Sequence, residues 1–213
     1  MIIIRKTLLA MTGLFICFFL LAHLGANFIL LLPASKAHDL YNSYSAFLRN
    51  NFLILIVAYV NYACIVGHVA LSILITIKNR RSKGSDPNQT AYLQNSTWTS
   101  QNMGLLGTML LAFIILHMAN FWFKVKFSDE PHDLYLMVTS LFAQPAYVAI
   151  YVIAMLPLGL HLAHGVKSAF RSIGIYHRKY LSWIAHVGVA YAWITAIGFA
   201  VIPLILYFRQ ESV

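Results

Sequence analysis

Charge is what this sequence has least of. Only 10% of its 213 residues are Asp, Glu, Lys or Arg, whereas a soluble domain carries about 25%. There are six acidic residues, none of them within an apolar stretch, and 60% of the chain is hydrophobic. This composition excludes an ordinary soluble domain and predicts an integral membrane protein whose main partner is the lipid bilayer.

Cysteine is also scarce. Cys17 and Cys64 are the only two, and both lie in apolar stretches, where we expect buried, inert thiols. No A-x-A-like cleavage site follows the first apolar stretch, so we expect it to be retained as a helix.

Five apolar runs are each long enough for a helix to cross a hydrocarbon core of about 30 Å. The sequence therefore predicts an all-α membrane protein, a single transmembrane domain over residues 1–213. Its five helices are expected at about 7–32, 51–77, 103–123, 147–170 and 183–207.

The net charge of +9 is distributed as a membrane topology requires, not as a nucleic-acid surface. Ten of the 15 lysines and arginines fall in the N-terminal segment and the even-numbered connections, on one side of the predicted membrane. The positive-inside rule then predicts a cytoplasmic N-terminus for this multi-pass protein. We expect it in the cytoplasmic (inner) membrane of a prokaryote.

A repeat is visible in the first four runs. HLGANF begins at His23 and HMANF at His117, and an HDLY segment follows 15 residues after each histidine, at His38 and His132. Helices one and two are therefore predicted to be duplicated as helices three and four, as parallel repeats, with helix five outside the repeat.

Each of the four repeated runs carries one deep histidine. At about 1.5 Å per residue, His23 and His117 lie at one level and His68 and His161 at a deeper, inner level. The pseudo-twofold axis makes each pair face across a four-helix bundle, which predicts two haem b groups, each held by two imidazoles. The alternative is that each histidine bonds only a neighbouring helix. Zinc is disfavoured because no Cys or carboxylate accompanies either pair.

Several neighbours fit this interpretation. Small residues are expected to let the rings approach: Gly25, Gly67, Gly159 and Gly165. Two asparagines are expected to support the outer ligands: Asn27 and Asn120. His164 shares a face with His161 and either donates to a haem propionate or is a satisfied interfacial histidine. His186 has no repeat partner and is expected to be structural.

With these histidines, the chain resembles the two-haem cytochrome b membrane subunit of succinate dehydrogenases and quinol:fumarate reductases. The resemblance assigns His23 and His117 to an outer haem and His68 and His161 to an inner haem. It implies a flavoprotein subunit and an iron–sulfur subunit on the cytoplasmic face, and electron transfer to or from menaquinone or ubiquinone. It also implies a dimer of such heterotrimers as a further assembly, and no dicarboxylate active site on this chain.

One position departs from that family. Some members have a Glu two residues before the fourth ligand, where this chain has Gly159, so we expect no carboxylate proton path. Two alternatives stay open: a dihaem subunit of a hydrogenase or formate dehydrogenase, and a haem-free small transporter. The lack of charge in the runs argues against the transporter. The direction of electron flow and the quinone type are not encoded in any recognisable pattern.

A quinone site is expected at the outer face, where two short interfacial helices are predicted at about 33–50 and 133–144. The candidates are His38, Asp39, Tyr41, Tyr44, Arg49, Trp122, Lys124, His132, Asp133 and Tyr135. The competing interpretation is that the two Asp lie near helix N-termini, where negative charge is favourable. An inner site near His164 and Trp183 is the second choice. Residues 78–102 and 166–180, with Arg5 and Lys6, are predicted to dock the partner subunits, although topology alone explains their charge.

Overall fold

The computed structural model describes residues 2–83, 97–127, 132–175 and 177–211. This part of the chain is helical, with eight α-helices and one short 3-10 helix. The elements in chain order are α1 (Ile2–Asn27), the 3-10 helix (Phe28–Leu31), α2 (Ala34–Asn50), α3 (Phe52–Lys83), α4 (Trp98–Asn120), α5 (Trp122–Phe127), α6 (Leu134–Phe142), α7 (Pro145–Ser172) and α8 (Arg178–Glu211).

Five segments are long and apolar enough to cross a membrane, which confirms the predicted all-α, multi-pass architecture. They are Ile4–Leu31, Phe52–Asn79, Trp98–Phe127, Pro145–Ser172 and Tyr180–Gln210. The helices extend past the predicted runs because backbone hydrogen bonding continues into the polar flanks, whereas hydropathy marks only the lipid-facing part. "Inner" and "outer" below follow the orientation predicted from charge, with the N-terminus inside.

The fourth spanning helix, α7, is central in the packing. It packs most extensively against α8 and also contacts α4 and α1, whereas α3 packs chiefly on α1 and touches α4 only lightly. The two hairpins predicted from the repeat, α1 with α3 and α4 with α7, are therefore each formed by direct helix–helix contact. Pro157 lies inside α7 and is buried.

The best-packed region is the outer end of the molecule. A buried cluster there joins the 3-10 helix, α1, α6, α7 and α8: Leu24, Leu30, Val138, Leu141, Phe142, Val148, Tyr151, Ile202 and Leu206. Arg209 of α8 donates hydrogen bonds to the carbonyls of Leu31 and Leu32, at 2.6 and 3.1 Å. These bonds satisfy carbonyls that the end of a helix leaves without partners.

Both short helices predicted in the outer connections are present. α2 has an exposed apolar side that includes Leu40 and Phe47. α6 begins after Asp133, whose side chain accepts a hydrogen bond from the Leu136 N–H. Of the predicted docking surface, residues 84–96 and residue 176 lie outside the described part of the chain.

Candidate paired-histidine sites

The structure brings the four predicted histidines together as two pairs. At the outer level the rings of His23 and His117 lie 5.8 Å apart between centroids and are nearly perpendicular, at 85°. Aromatic side chains surround this pair. Phe19 stacks on His23, and Phe113, Phe121 and Tyr151 lie 5.3–6.0 Å from His117. The outer pair therefore lies in an aromatic, apolar surrounding.

At the inner level the rings of His68 and His161 are 6.3 Å apart, inclined at 66°. Two glycines at equivalent repeat positions flank them. A Cβ built on Gly13 would lie 3.0 Å from His68 Cε1, and one on Gly107 would lie 3.9 Å from His161 Cε1. Each hairpin thus places a glycine of its first helix against the histidine of its second, as a duplication predicts.

These separations suit one metal ion between two imidazoles. Two rings that bind one ion from opposite sides, each through a nitrogen about 2 Å from it, have centres about 6 Å apart. Among the described residues, no group of three or more His, Cys, Asp or Glu side chains could hold a metal ion. Two axial ligands match a haem iron, whereas structural zinc takes four protein ligands.

Buried polar atoms without partners lie on the helices that carry the pairs. Nδ1 of His117, Nδ1 of His161 and Oδ1 of Asn61 have no hydrogen-bond partner within the described residues. Asn61 is only 2% exposed and stands seven residues before His68, on the same face of α3. Unpaired polar groups in a low-dielectric interior cost free energy. The described residues alone do not supply hydrogen-bond partners for these three atoms.

One of the four glycines has a different neighbour from the one expected. A Cβ on Gly159 would meet the Trp193 ring at 2.9 Å, so this glycine lets α7 and α8 approach each other. A Cβ on Gly25, Gly67 or Gly165 would meet nothing within 4 Å, and the prediction that these three leave room for the rings stays a prediction.

The asparagines also have other partners. Asn27 donates to the His23 carbonyl at 2.8 Å, and Asn120 donates to the Tyr151 hydroxyl at 3.0 Å. Neither bond goes to an imidazole nitrogen, because each side chain turns toward its own backbone or the adjacent helix.

The other two histidines of the spanning helices differ in surroundings. His164 is half-buried on the face of α7 that carries His161, and Lys167 and Arg171 lie near enough for their charges to act on its ring. His186 is exposed and its Nδ1 lies 2.8 Å from the Ser182 carbonyl of the same helix, the structural role expected. Trp183, of the second-choice quinone site, is also exposed.

Part of the predicted outer site is assembled by α2 and α6. His38 Nε2 lies 2.6 Å from Asp133 Oδ2, and His38 Nδ1 lies 2.9 Å from Asp39 Oδ1. Asn42 donates to Asp133 Oδ1 at 2.9 Å and accepts from the Tyr135 N–H at 3.1 Å. We name His38, Asp39, Asn42 and Asp133 the outer clasp.

The clasp has opposite effects on its two main titratable groups. Hydrogen bonds to Asp39 and Asp133 hold the pKa of His38 above its ordinary value. Burial alone would raise the pKa of Asp133, but hydrogen bonds from the Leu136 N–H, Asn42 and His38 hold it below its ordinary value. Both changes favour a charged pair.

The remaining outer candidates do not converge on one point. The Tyr41 hydroxyl donates to Asn27 Oδ1 at 3.3 Å, and burial raises the pKa of Tyr41 to about 12. Trp122 packs against Tyr62 of α3, with ring centres 6.1 Å apart. Arg49 and Lys124 are exposed, Tyr44 is half-buried, and His132 Nε2 is buried with no hydrogen-bond partner in the described parts of the chain.

Sequence reasoning missed four residues at these sites: Thr12, Asn42, Asn61 and Tyr151. Asn61 could have been found, since a buried amide seven residues from a ligand candidate stands out in an apolar run. Thr12, Asn42 and Tyr151 act across helices and carry no local signal.

The chain matches no family model, no curated protein and no solved structure. The functional argument therefore rests on the geometry of the two pairs.

Proposed function

We propose that this chain is the membrane-anchor dihaem cytochrome b subunit of a succinate dehydrogenase or quinol:fumarate reductase complex. It would carry electrons between an iron–sulfur subunit and a quinone pool, menaquinone or ubiquinone. The observation that carries the proposal is the presence of two imidazole pairs at equivalent positions of two hairpins. The ring centroids are 5.8 Å apart in the outer pair and 6.3 Å apart in the inner pair.

Haem b supplies reversible one-electron chemistry when bound between two neutral imidazoles. In this proposal His23 and His117 hold the outer group, and His68 and His161 the inner one. The residues of the chain do the rest. Gly13 and Gly107 leave space beside the inner ligands, and the aromatic side chains around His117 give the outer pair an apolar surrounding.

The partner subunits belong on the inner face in this proposal. Lys167 and Arg171, both exposed near the inner end of α7, add to the positive charge that predicts a cytoplasmic N-terminus. The flavoprotein and iron–sulfur subunits would dock there, beside the inner pair. The complex would lie in a prokaryotic inner membrane.

The quinone is proposed to bind at the outer face, next to the outer pair. Tyr41 supports this location because its hydroxyl reaches Asn27, one helical turn beyond His23. The half-exposed His38 with its two carboxylates offers groups that exchange protons with the outer water. No acidic residue lies in an apolar run, so the outer water is the simplest proton source.

The test is to purify the tagged chain from membranes of its native host, identify its companions and assay the preparation. The proposal predicts a flavoprotein, an iron–sulfur protein, and succinate-to-quinone or quinol-to-fumarate turnover. Companion subunits of a hydrogenase or formate dehydrogenase would contradict the assigned complex. A haem-free protein that purifies alone would contradict the whole proposal and favour a transporter.

A further inference from the structure

One hydroxyl group lies beside the inner pair. Thr12 is on α1, and its Oγ1 is 3.3 Å from His68 Nδ1. The same oxygen is 2.9 Å from the Leu8 carbonyl and 3.0 Å from the Leu9 carbonyl. Thr12 therefore connects the backbone of α1 to a ring of α3.

The direction of these hydrogen bonds follows from what each group can do. A hydroxyl has one hydrogen to donate and lone pairs to accept with, whereas a carbonyl only accepts. The Thr12 hydrogen is donated to the Leu8 or Leu9 carbonyl. If His68 holds a haem through Nε2, as proposed above, its proton is on Nδ1, and the Thr12 oxygen accepts from Nδ1–H. This arrangement leaves the proton on Nδ1 and the lone pair on Nε2.

This contact breaks the internal symmetry of the protein. Thr12 precedes Gly13, and the residue that precedes the equivalent Gly107 is Leu106, which is 3% exposed and has no polar group. Accordingly His161 Nδ1 is buried without a partner in the described structure. The duplication repeats the glycine and the histidine but not the hydroxyl.

We propose that Thr12 is a positioning residue of the inner site, which fixes the tautomer and orientation of His68. This inference rests on the proposed function, in which His68 would hold the inner haem through Nε2. By accepting from Nδ1–H, Thr12 would make Nε2 more basic and so favour the oxidised state of the bound group. It keeps the midpoint potential of the inner haem lower than an apolar residue would. The proton stays on Nδ1, and no bond is made or broken.

The test compares Thr12→Val, which keeps the shape and removes the hydroxyl, with Thr12→Ser, which restores it. Thr108→Val is the matched control, since the Thr108 hydroxyl bonds the Gly104 carbonyl of its own helix at 2.9 Å. The complex in membranes is titrated electrochemically, and the low-temperature paramagnetic resonance of each oxidised haem is recorded.

We expect Thr12→Val to raise the midpoint potential of the inner haem and to change its paramagnetic resonance. The midpoint potential and resonance of the outer haem should stay the same. Thr12→Ser and Thr108→Val should match the wild type. Thr12→Val could lose the inner haem altogether. In that case, an inner haem with a normal midpoint potential in Thr12→Ser supports the role of the hydroxyl, whereas loss of the inner haem from both variants overturns it. Two haems with an unchanged inner potential in Thr12→Val overturn this inference alone. Absence of haem from the wild type overturns the proposed function as well.

Discussion

An imidazole in the membrane interior is costly unless a partner compensates it. Four of the histidines in the spanning helices compensate one another only weakly, since the ring centroids within each pair are about 6 Å apart, too far for a direct hydrogen bond. Two neutral ring nitrogens that share a metal ion would gain much more. The exposed His186 needs no such explanation, because its ring bonds the Ser182 carbonyl.

Replacement of one inner ligand tests this difference between histidines. We expect His161→Ala to lose the inner haem and keep the outer one, so that the haem content per chain falls by half. His186→Ala, on the neighbouring helix, should keep both haems. The measurement is the reduced-minus-oxidised absorption spectrum of purified protein. Loss of the outer spectrum, with the inner one intact, would show that the histidines are paired wrongly.

The location of the quinone is tested by two single substitutions at opposite ends of the molecule. One removes the hydroxyl of Tyr41 and the other removes the ring of His164. We expect Tyr41→Phe to reduce quinone turnover about tenfold, the effect of losing one hydrogen bond of roughly 1.4 kcal/mol in the rate-limiting complex. Both haem spectra should be normal. His164→Ala should leave turnover unchanged. The opposite pattern, with full activity in Tyr41→Phe and loss in His164→Ala, would place the site at the inner face.

At the scale of elements, the outer clasp joins two short helices that belong to different repeats. His38 has a carboxylate oxygen on each ring nitrogen, at 2.6 and 2.9 Å. A carboxylate only accepts, so both hydrogen bonds form together only when the ring is an imidazolium, which donates from both nitrogens. Tyr135 packs edge-on against the same ring, with centroids 5.4 Å apart. The clasp therefore holds α2 to α6 through charge as well as shape.

This charge predicts a pH dependence. Because its pKa is raised, His38 contributes to the free energy of unfolding in full below its unfolded pKa of 6.5, and the contribution is lost as pH rises through the folded pKa. Because its pKa is lowered, Asp133 contributes in full above its unfolded pKa of 3.8, and that contribution is lost as pH falls through the folded pKa. The wild type should therefore exceed His38→Gln in melting temperature most clearly between pH 3.8 and 6.5.

The control is His177→Gln, which changes an exposed histidine near the other end of the molecule. Its melting temperature should follow that of the wild type throughout. A difference between wild type and His38→Gln that is as large at pH 9 as at pH 6 would mean that the clasp does not depend on the charge of His38.

At the scale of the whole molecule, the length of the apolar runs and their lack of charge predicted the five spanning segments, and the duplication predicted which histidines lie together. Both are properties of long stretches, in which many residues agree. The glycines show the limit of this reasoning. Gly159 looked like space for a cofactor, but it accommodates Trp193 of α8, a helix that lies outside the repeat. Thr12 and Tyr151 could not be predicted either, since their roles depend on which helices are neighbours.

The most direct test of the central claim is the number of haem b groups per chain in the purified wild-type protein. It combines the alkaline pyridine absorbance of extracted haem with the protein concentration from amino-acid analysis. The two histidine pairs predict two haems per chain, reducible in two separate steps. A preparation that is folded and helical but contains no haem would contradict the account.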